Sequence, residues 1–306
     1  MKSLIPPFSR QRSAGPNTLR GMGYMLVMAV CASVLNATVK YLSAEIHPFE
    51  ITFFRALFGF LAFVPLFVRH GWAPLRTERL GLHAVRGVLT GIGLLILFWG
   101  LGMTPLAKAQ ALSFSTPLFA TVLAFTVLGE KIRFRRIAAL VTGFVGTVVV
   151  LRPGMIEIGA GPLLILLSAI AFGGMMIAIK MLARTETSTT ITVYMALFTT
   201  PLTFLAALFV WQTPTWSQLG VMAAIGFLST FIHLCLAQAI KEADISAVLP
   251  VNFTSLIWAS VIGFAVFGET PDAGTWIGGT IIFAAVVFIA FRERPQQGET
   301  PPPASD

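Results

Sequence analysis

The sequence predicts an all-α polytopic membrane protein of ten transmembrane helices, arranged as two inverted five-helix repeats. Three observations predict it. Ten apolar runs fill nearly the whole chain between Gly21 and Phe291. Hydrophobic residues make up 56% of the 306 residues and charged ones only 11%, against about 25% charged in soluble domains; a water-soluble core of this size would need more polar surface to cover it. The second half of the chain also echoes the first at a shift of 139–140 residues.

A hydrocarbon core about 30 Å thick is crossed by roughly 20 apolar helical residues. The runs are 21–44, 49–68, 84–103, 105–128, 134–151, 161–183, 189–210, 217–240, 245–267 and 274–291. The first follows basic residues as a signal peptide would, yet its apolar region exceeds the roughly 7–15 residues of a signal h-region. It also continues into Lys40 and Tyr41, so it is expected to be retained. The second run opens on the stretch HPFE and carries Arg55, about two turns in. The fourth contains Pro117 and closes on Gly129-Glu130, read as a helix terminator beside the basic residues 131–136. The ninth contains Pro250 and closes on Gly268-Glu269. Because Pro117 aligns with Leu256 in the repeat, the two halves are expected to bend at different depths. Residues 1–20 and 292–306 are too poor in apolar side chains to fold alone and are expected to be disordered tails.

The net charge of +8 invites a nucleic-acid reading, but the positions of the charges exclude the need for one. The N-terminal tail and alternate connections hold sixteen Lys and Arg, among them Arg79, Arg86, Arg135, Arg184 and Lys241. The intervening connections hold Arg152 alone. Short basic loops stay cytoplasmic, so both termini are expected in the cytoplasm of a bacterial inner membrane. Cys31 and Cys235 both fall inside runs, where small buried fillers are the ordinary role for the residue type.

From Phe114 to Glu130, a shift of 139 leaves seven of seventeen positions identical, including Phe114/Phe253, Gly129/Gly268 and Glu130/Glu269. A shift of 140 pairs Gly21 with Gly161, Lys40 with Lys180, and Ala56-Leu57-Phe58 with Ala196-Leu197-Phe198. The repeats are expected at 21–153 and 154–291. Each holds five crossings, an odd number, so the second must enter the membrane upside down. Inverted repeats are a signature of secondary transporters, whose substrate binds near the midplane between the halves.

With its ten-run plan, the segment Leu128-Gly129-Glu130, its echo Phe267-Gly268-Glu269 and the stretch HPFEITFFRALFGF, the chain resembles the drug/metabolite transporter superfamily, EamA family. The resemblance implies cytoplasmic termini and a central cavity lined mainly by spans 1, 3, 4, 6, 8 and 9. It also implies substrates such as amino-acid-like compounds, riboflavin or S-adenosylmethionine. On this reading the chain is no enzyme and needs no cofactor or metal. Its partners are a small-molecule substrate and the bilayer, and coupling to a proton or a counter-substrate is left open. A membrane-embedded enzyme and a non-transporting sensor or scaffold are the alternatives; no nucleophile elbow, phosphate loop or intramembrane aspartate pair speaks for the former.

Candidate substrate contacts follow from polar side chains at helical spacing inside the runs. Asn36 shares a face with Ser33 and Lys40; Ser113 and Asn252 are repeat partners on stripes of small residues. Such stripes equally serve close helix packing. Lys40 and Lys180 are related by the repeat and either snorkel to headgroups or guard opposite mouths of a path. Lys108, Lys40 and Arg55 together would make a positive vestibule for a carboxylate or phosphate. Arg55 otherwise pairs with Glu50 or caps carbonyls. His233 is the deep side chain whose unperturbed pKa lies near neutrality, hence the proton candidate. Trp99 offers a stacking surface or an interfacial anchor. Arg55, Glu130 and Glu269 are candidate gating or structural charges.

Overall fold

The computed structural model describes residues 17–62, 77–129, 134–154, 159–243 and 245–292. Twelve α-helices carry the regular structure of these residues: α1 (Thr18–Leu42), α2 (Pro48–Leu61), α3 (Leu80–Gly102), α4 (Leu106–Ser113), α5 (Thr116–Leu128), α6 (Phe134–Leu151), α7 (Ala160–Leu182), α8 (Ser188–Leu208), α9 (Trp216–Glu242), α10 (Ile245–Asn252), α11 (Thr254–Phe267) and α12 (Ala273–Arg292). Eight stretches among the described residues are long and apolar enough to cross a membrane, and Ile137–Leu151 is a shorter apolar helix. The second run is represented by the 14 residues of α2; its end, from 63 onward, lies outside the described residues.

Local chemistry fixes where these helices start and stop. The Asn17 side chain accepts the Arg20 backbone N–H at 3.4 Å to open α1. Pro48 sits in the first turn of α2, where a missing N–H has no partner to lose. Thr215 and Gln218 form a reciprocal capping box at the start of α9, satisfying two N–H groups otherwise unpaired. Gly129 and Gly268 end α5 and α11 at φ 65° and 67°, a left-handed geometry that costs residues with a Cβ.

The fourth and ninth runs are each two helices. Contrary to the expectation of bends at different depths, the breaks fall at repeat-equivalent residues, Phe114 and Phe253. The reason lies in which side of the break each proline occupies. Pro117 stands in the first turn of α5, where proline is favoured. Pro250 lies inside α10, where it removes a helical hydrogen bond, and α10 ends two residues later. The rings of Phe114 and Phe253 stack at 5.7 Å with 29° between planes, which contributes about 0.5–1.5 kcal/mol beyond burial. The breaks also divide the small-residue faces: Ser113 and Asn252 each end a short helix.

The helices pack in pairs that survive an exchange of the two halves of the chain. α3 packs on α7 as α1 does on α9; α3 packs on α8 as α2 does on α9; and α5 packs on α7 as α11 does on α1. The pairs α2 with α8 and α6 with α12 map onto themselves. Glycine permits the tightest crossings. A Cβ on Gly161 would lie 2.4 Å from Thr104 Oγ1, and one on its repeat partner Gly21 would lie 2.5 Å from Ala243 Cβ. Where α6 crosses α12, a Cβ on Gly278 would lie 2.5 Å from the Gly146 carbonyl oxygen.

Phe98, Leu101, Leu106, Leu112, Leu118 and Ile165 are fully buried within the largest apolar cluster. The outward faces are apolar too. Val141, Val145 and Val148 on α6, and Phe227, Phe231 and Leu234 on α9, are exposed. Exposed contiguous apolar stripes on every side suit lipid and not water.

Candidate functional site

Two polar clusters lie where helices of the two halves meet, and two arginines lie among α2, α3, α8 and α9. The first cluster sits at the helix breaks. Ser33 on α1 is fully buried and donates to the Ser255 carbonyl oxygen at 3.1 Å. Gln110 on α4 donates from Nε2 to Ser255 Oγ at 3.0 Å, and Ser255 donates to the Asn252 carbonyl oxygen at 2.7 Å. Ser113 donates to Ala109 O at 2.9 Å. Ser113, Asn252 and Asn36 are half-buried. Broken helices free backbone groups in this region, and α1 bridges to the break through Ser33. Gln110 and Ser255 escaped the sequence reading, although Ser255 stood on the small-residue stripe beside Asn252.

The second cluster closes one end of the bundle, where α1 and α3 end and α12 begins. Lys40 Nζ meets Glu269 Oε1 in an ion pair and also donates to the Thr104 carbonyl oxygen. Glu269 Oε2 accepts the Leu106 backbone N–H at 2.7 Å. A carboxylate there satisfies an unpaired N–H and complements the positive end of α4. The Lys40 ammonium also stands 5.3 Å from the centroid of the Phe267 ring. Lys108 is half-buried beside it and shares the lining of a small pocket with Ser260, Glu269, Asp272 and Thr275.

Asp272 opens α12, accepting the Thr275 backbone N–H at 2.7 Å, and pairs with Arg152 at 3.1 Å. Burial pushes the Asp272 carboxyl up, but the Thr275 N–H and hydroxyl outweigh it, and with Arg152 and Lys108 they hold the group below the usual carboxylate range. At the same end, burial pushes the His47 imidazole down; its Nδ1 accepts the Phe49 N–H at 3.3 Å. Trp99 is exposed here, its ring edge-on to Phe49 at 5.6 Å. It is not gathered with Ser113 and Asn252.

The vestibule expected from Lys40, Arg55 and Lys108 is not assembled. Lys40 is neutralised by Glu269, and Lys108 lies beside Asp272. Arg55 does not meet Glu50 either. Residues five apart on a helix point about 140° from one another, and Glu50 Oε1 accepts the Gln212 backbone N–H at 2.8 Å instead. Arg55 donates from Nη2 to Ser229 Oγ at 2.7 Å and places its guanidinium 5.6 Å from the Phe98 ring centroid. Arg86, counted in the sequence among the loop cations, is buried inside α3 and donates from Nη1 to the Ile191 carbonyl oxygen. Both guanidinium groups act electrostatically on His233.

The opposite end holds a further set that the sequence reading missed. His83 is fully buried, stacked on Tyr194 at 4.6 Å, with Nε2 3.9 Å from Glu186 Oε1. Thr77 donates to that same oxygen at 2.6 Å. Lys180 is exposed in the last turn of α7. Glu130 lies outside the described residues. Among the described residues, no group of three or more His, Cys, Asp or Glu could hold a metal, and Cys31 and Cys235 are free thiols.

The model of the EamA-like transporter family matches twice, over residues 19–152 and 159–291.

The chain belongs to the EamA-like transporter family.

It is an all-helical, multi-pass membrane protein and a transporter of small metabolites, not an enzyme. It is 32% identical over 274 residues to an S-adenosylmethionine uptake transporter of Rickettsia bellii, covering 90% of this chain and 94% of that one. It is 28% identical over 276 residues to a riboflavin transporter of Vibrio cholerae, covering 89% and 93%. A crystal structure at 18% identity shares the fold, with a TM-score of 0.60 over 94% of this chain and 100% of the other. In this EamA-like protein the two family matches meet between α6 and α7, so the Lys40–Glu269 pair ties one matched region to the other.

Proposed function

We propose that this transporter works by alternating access, with residues 21–153 and 154–291 as two inverted five-helix repeats spanning a bacterial inner membrane ten times. Tails 1–20 and 292–306 then lie in the cytoplasm, and the end closed by Lys40 and Glu269 faces outward. One observation carries this reading: helix pairings that survive exchange of the halves. A pair of five-helix units related in that way, each with an odd number of crossings, offers the same packing to either side of the membrane. The cargo is a small organic metabolite of the kind its relatives carry, with S-adenosylmethionine and riboflavin as the first substrates to try.

In this scheme the breaks at Phe114 and Phe253 mark the middle of the path, with Asn36, Ser113 and Asn252 contacting cargo. Lys40 and Glu269 form the outer gate, and their repeat partners Lys180 and Glu130 serve the inner mouth. The test is flux of labelled S-adenosylmethionine or riboflavin into liposomes containing this protein alone. Saturable uptake, accelerated by unlabelled substrate on the far side, is expected. Accumulation no faster than in empty liposomes for every metabolite of a broad panel defeats the reading.

A further inference from the structure

Two arginines lie inside helices of the bundle, Arg55 on α2 and Arg86 on α3, and neither has a carboxylate partner among the described residues. A charge within a membrane span costs roughly 2.5–3.5 kcal/mol on insertion scales and marks function by default. The protein satisfies these two guanidinium groups sparingly. Each carries five N–H donors. Arg55 uses Nη2 on Ser229, Arg86 uses Nη1 on Ile191 O, and the Nε of both is buried without a partner. Neither acid of the neighbouring elements pairs with them: Glu50 takes the Gln212 N–H on Oε1, and Glu186 meets Thr77.

His233 shows that Arg55 borders an open space. On α9, Phe227, Phe231 and Leu234 form the lipid-facing stripe. At 100° per residue, His233 lies about 40° from Ser229 but about 100–160° from the three residues of that stripe. Ser229 is the residue that meets Arg55, and Gly226 on the same face leaves no room for a Cβ against the Arg55 carbonyl and Phe58. His233 thus faces inward and is nonetheless exposed. A side chain that is both inward and exposed lines a hollow between helices.

We propose that this hollow binds the anionic group of the cargo, a carboxylate or a phosphate, on Arg55 and His233, with Arg86 as the second cation. Guanidinium groups with unspent donors match the oxygen pairs of such anions in a bidentate fork. Phe98, beneath the Arg55 guanidinium, holds its plane in place through a cation–π contact. The inference rests on the transport reading above but goes further, naming the part of the cargo recognised and the side chains that recognise it.

Two matched probe pairs test it in protein reconstituted into lipid nanodiscs. S-adenosylmethionine is compared with its decarboxylated analogue, and riboflavin 5′-phosphate with riboflavin. Dissociation constants are read by equilibrium binding and flux is read separately in liposomes. In at least one pair the anionic member is expected to bind tenfold or more tightly; which pair responds separates carboxylate from phosphate. The preference is expected to collapse to within threefold in Arg55→Gln and Arg86→Gln. Arg55→Lys, which keeps the charge without the fork, should retain part of the preference and guards against loss of fold. Equal binding within both pairs, or a preference that persists in both Gln variants, overturns the proposal. Flux without anion preference sinks this inference alone. Anion preference without flux sinks the transport mechanism alone, and neither binding nor flux sinks both.

Discussion

Lys40 and Glu269 are 229 residues apart in sequence and joined by an ion pair at one end of the bundle. The same carboxylate receives the first N–H of α4, so a single side chain holds α1, α4 and the end of α11 together. Their side chains are 12% and 19% exposed, shielded enough from water that screening is incomplete.

Breaking that pair should open the end it closes. Lys40→Met and Glu269→Gln each leave the other charge without its partner, at a cost of up to about 3 kcal/mol for a largely buried pair. A cysteine at Ser260, in the adjoining pocket, with Cys31 and Cys235 replaced by serine, reports the opening. A membrane-impermeant thiol reagent should label it several-fold faster in either variant. Unchanged labelling in both would show that the pair is not what closes this end.

Helix crossings make a second expectation. Gly278→Ala places a methyl group against the Gly146 carbonyl and Val150, and overpacking of that kind destabilises by about 1–3 kcal/mol. Gly220→Ala meets nothing within 4 Å and should stabilise α9 by about 0.4–1 kcal/mol. Thermal unfolding in detergent should therefore move in opposite directions for the two variants.

Acid should weaken the start of α12 through Asp272. Its folded pKa lies below the ordinary value of 3.8, so the folded state binds protons less readily than the unfolded one. The resulting stabilisation is complete above that ordinary value and disappears as pH falls through the lower, folded one. Wild-type unfolding temperature should fall over that acid range more steeply than that of Asp272→Asn. Parallel curves would remove the charge from the account.

Polar groups at the breaks supply a fourth test. Asn252→Ala and Ser113→Ala remove one candidate cargo contact each, worth about 1 kcal/mol and so roughly a five-fold loss of affinity. The Michaelis constant for transport should rise by about that factor with the unfolding temperature little changed. A stability loss with unaltered transport constants would assign both residues to packing.

Long apolar helices were legible because lipid imposes a length and a composition that a window of apolar residues reads directly; eight such stretches, not ten, stand among the described residues. Of the residues paired by the sequence shift, Phe114 and Phe253 stack on one another, and Gly21 and Gly161 both occupy tight crossings. Partners of charges were not legible. Lys40 looked available because the acid it meets lies 229 residues away, and Glu269 stood as a span terminator and candidate gating charge with no partner assigned. Arg86 was miscounted as a loop residue because positive-inside bookkeeping locates basic residues without reporting their depth. Prolines misled for a related reason: the chain shows where a proline is, but not whether it opens the helix after a break or ends the one before it.

Gly146 and Gly278 bring the backbones of α6 and α12 into direct contact. Ridges of side chains can slip a notch past one another; main chain seated on main chain cannot. These two helices are therefore expected to travel as one stiff strut through any rearrangement of the protein, with the moving parts pivoting about it.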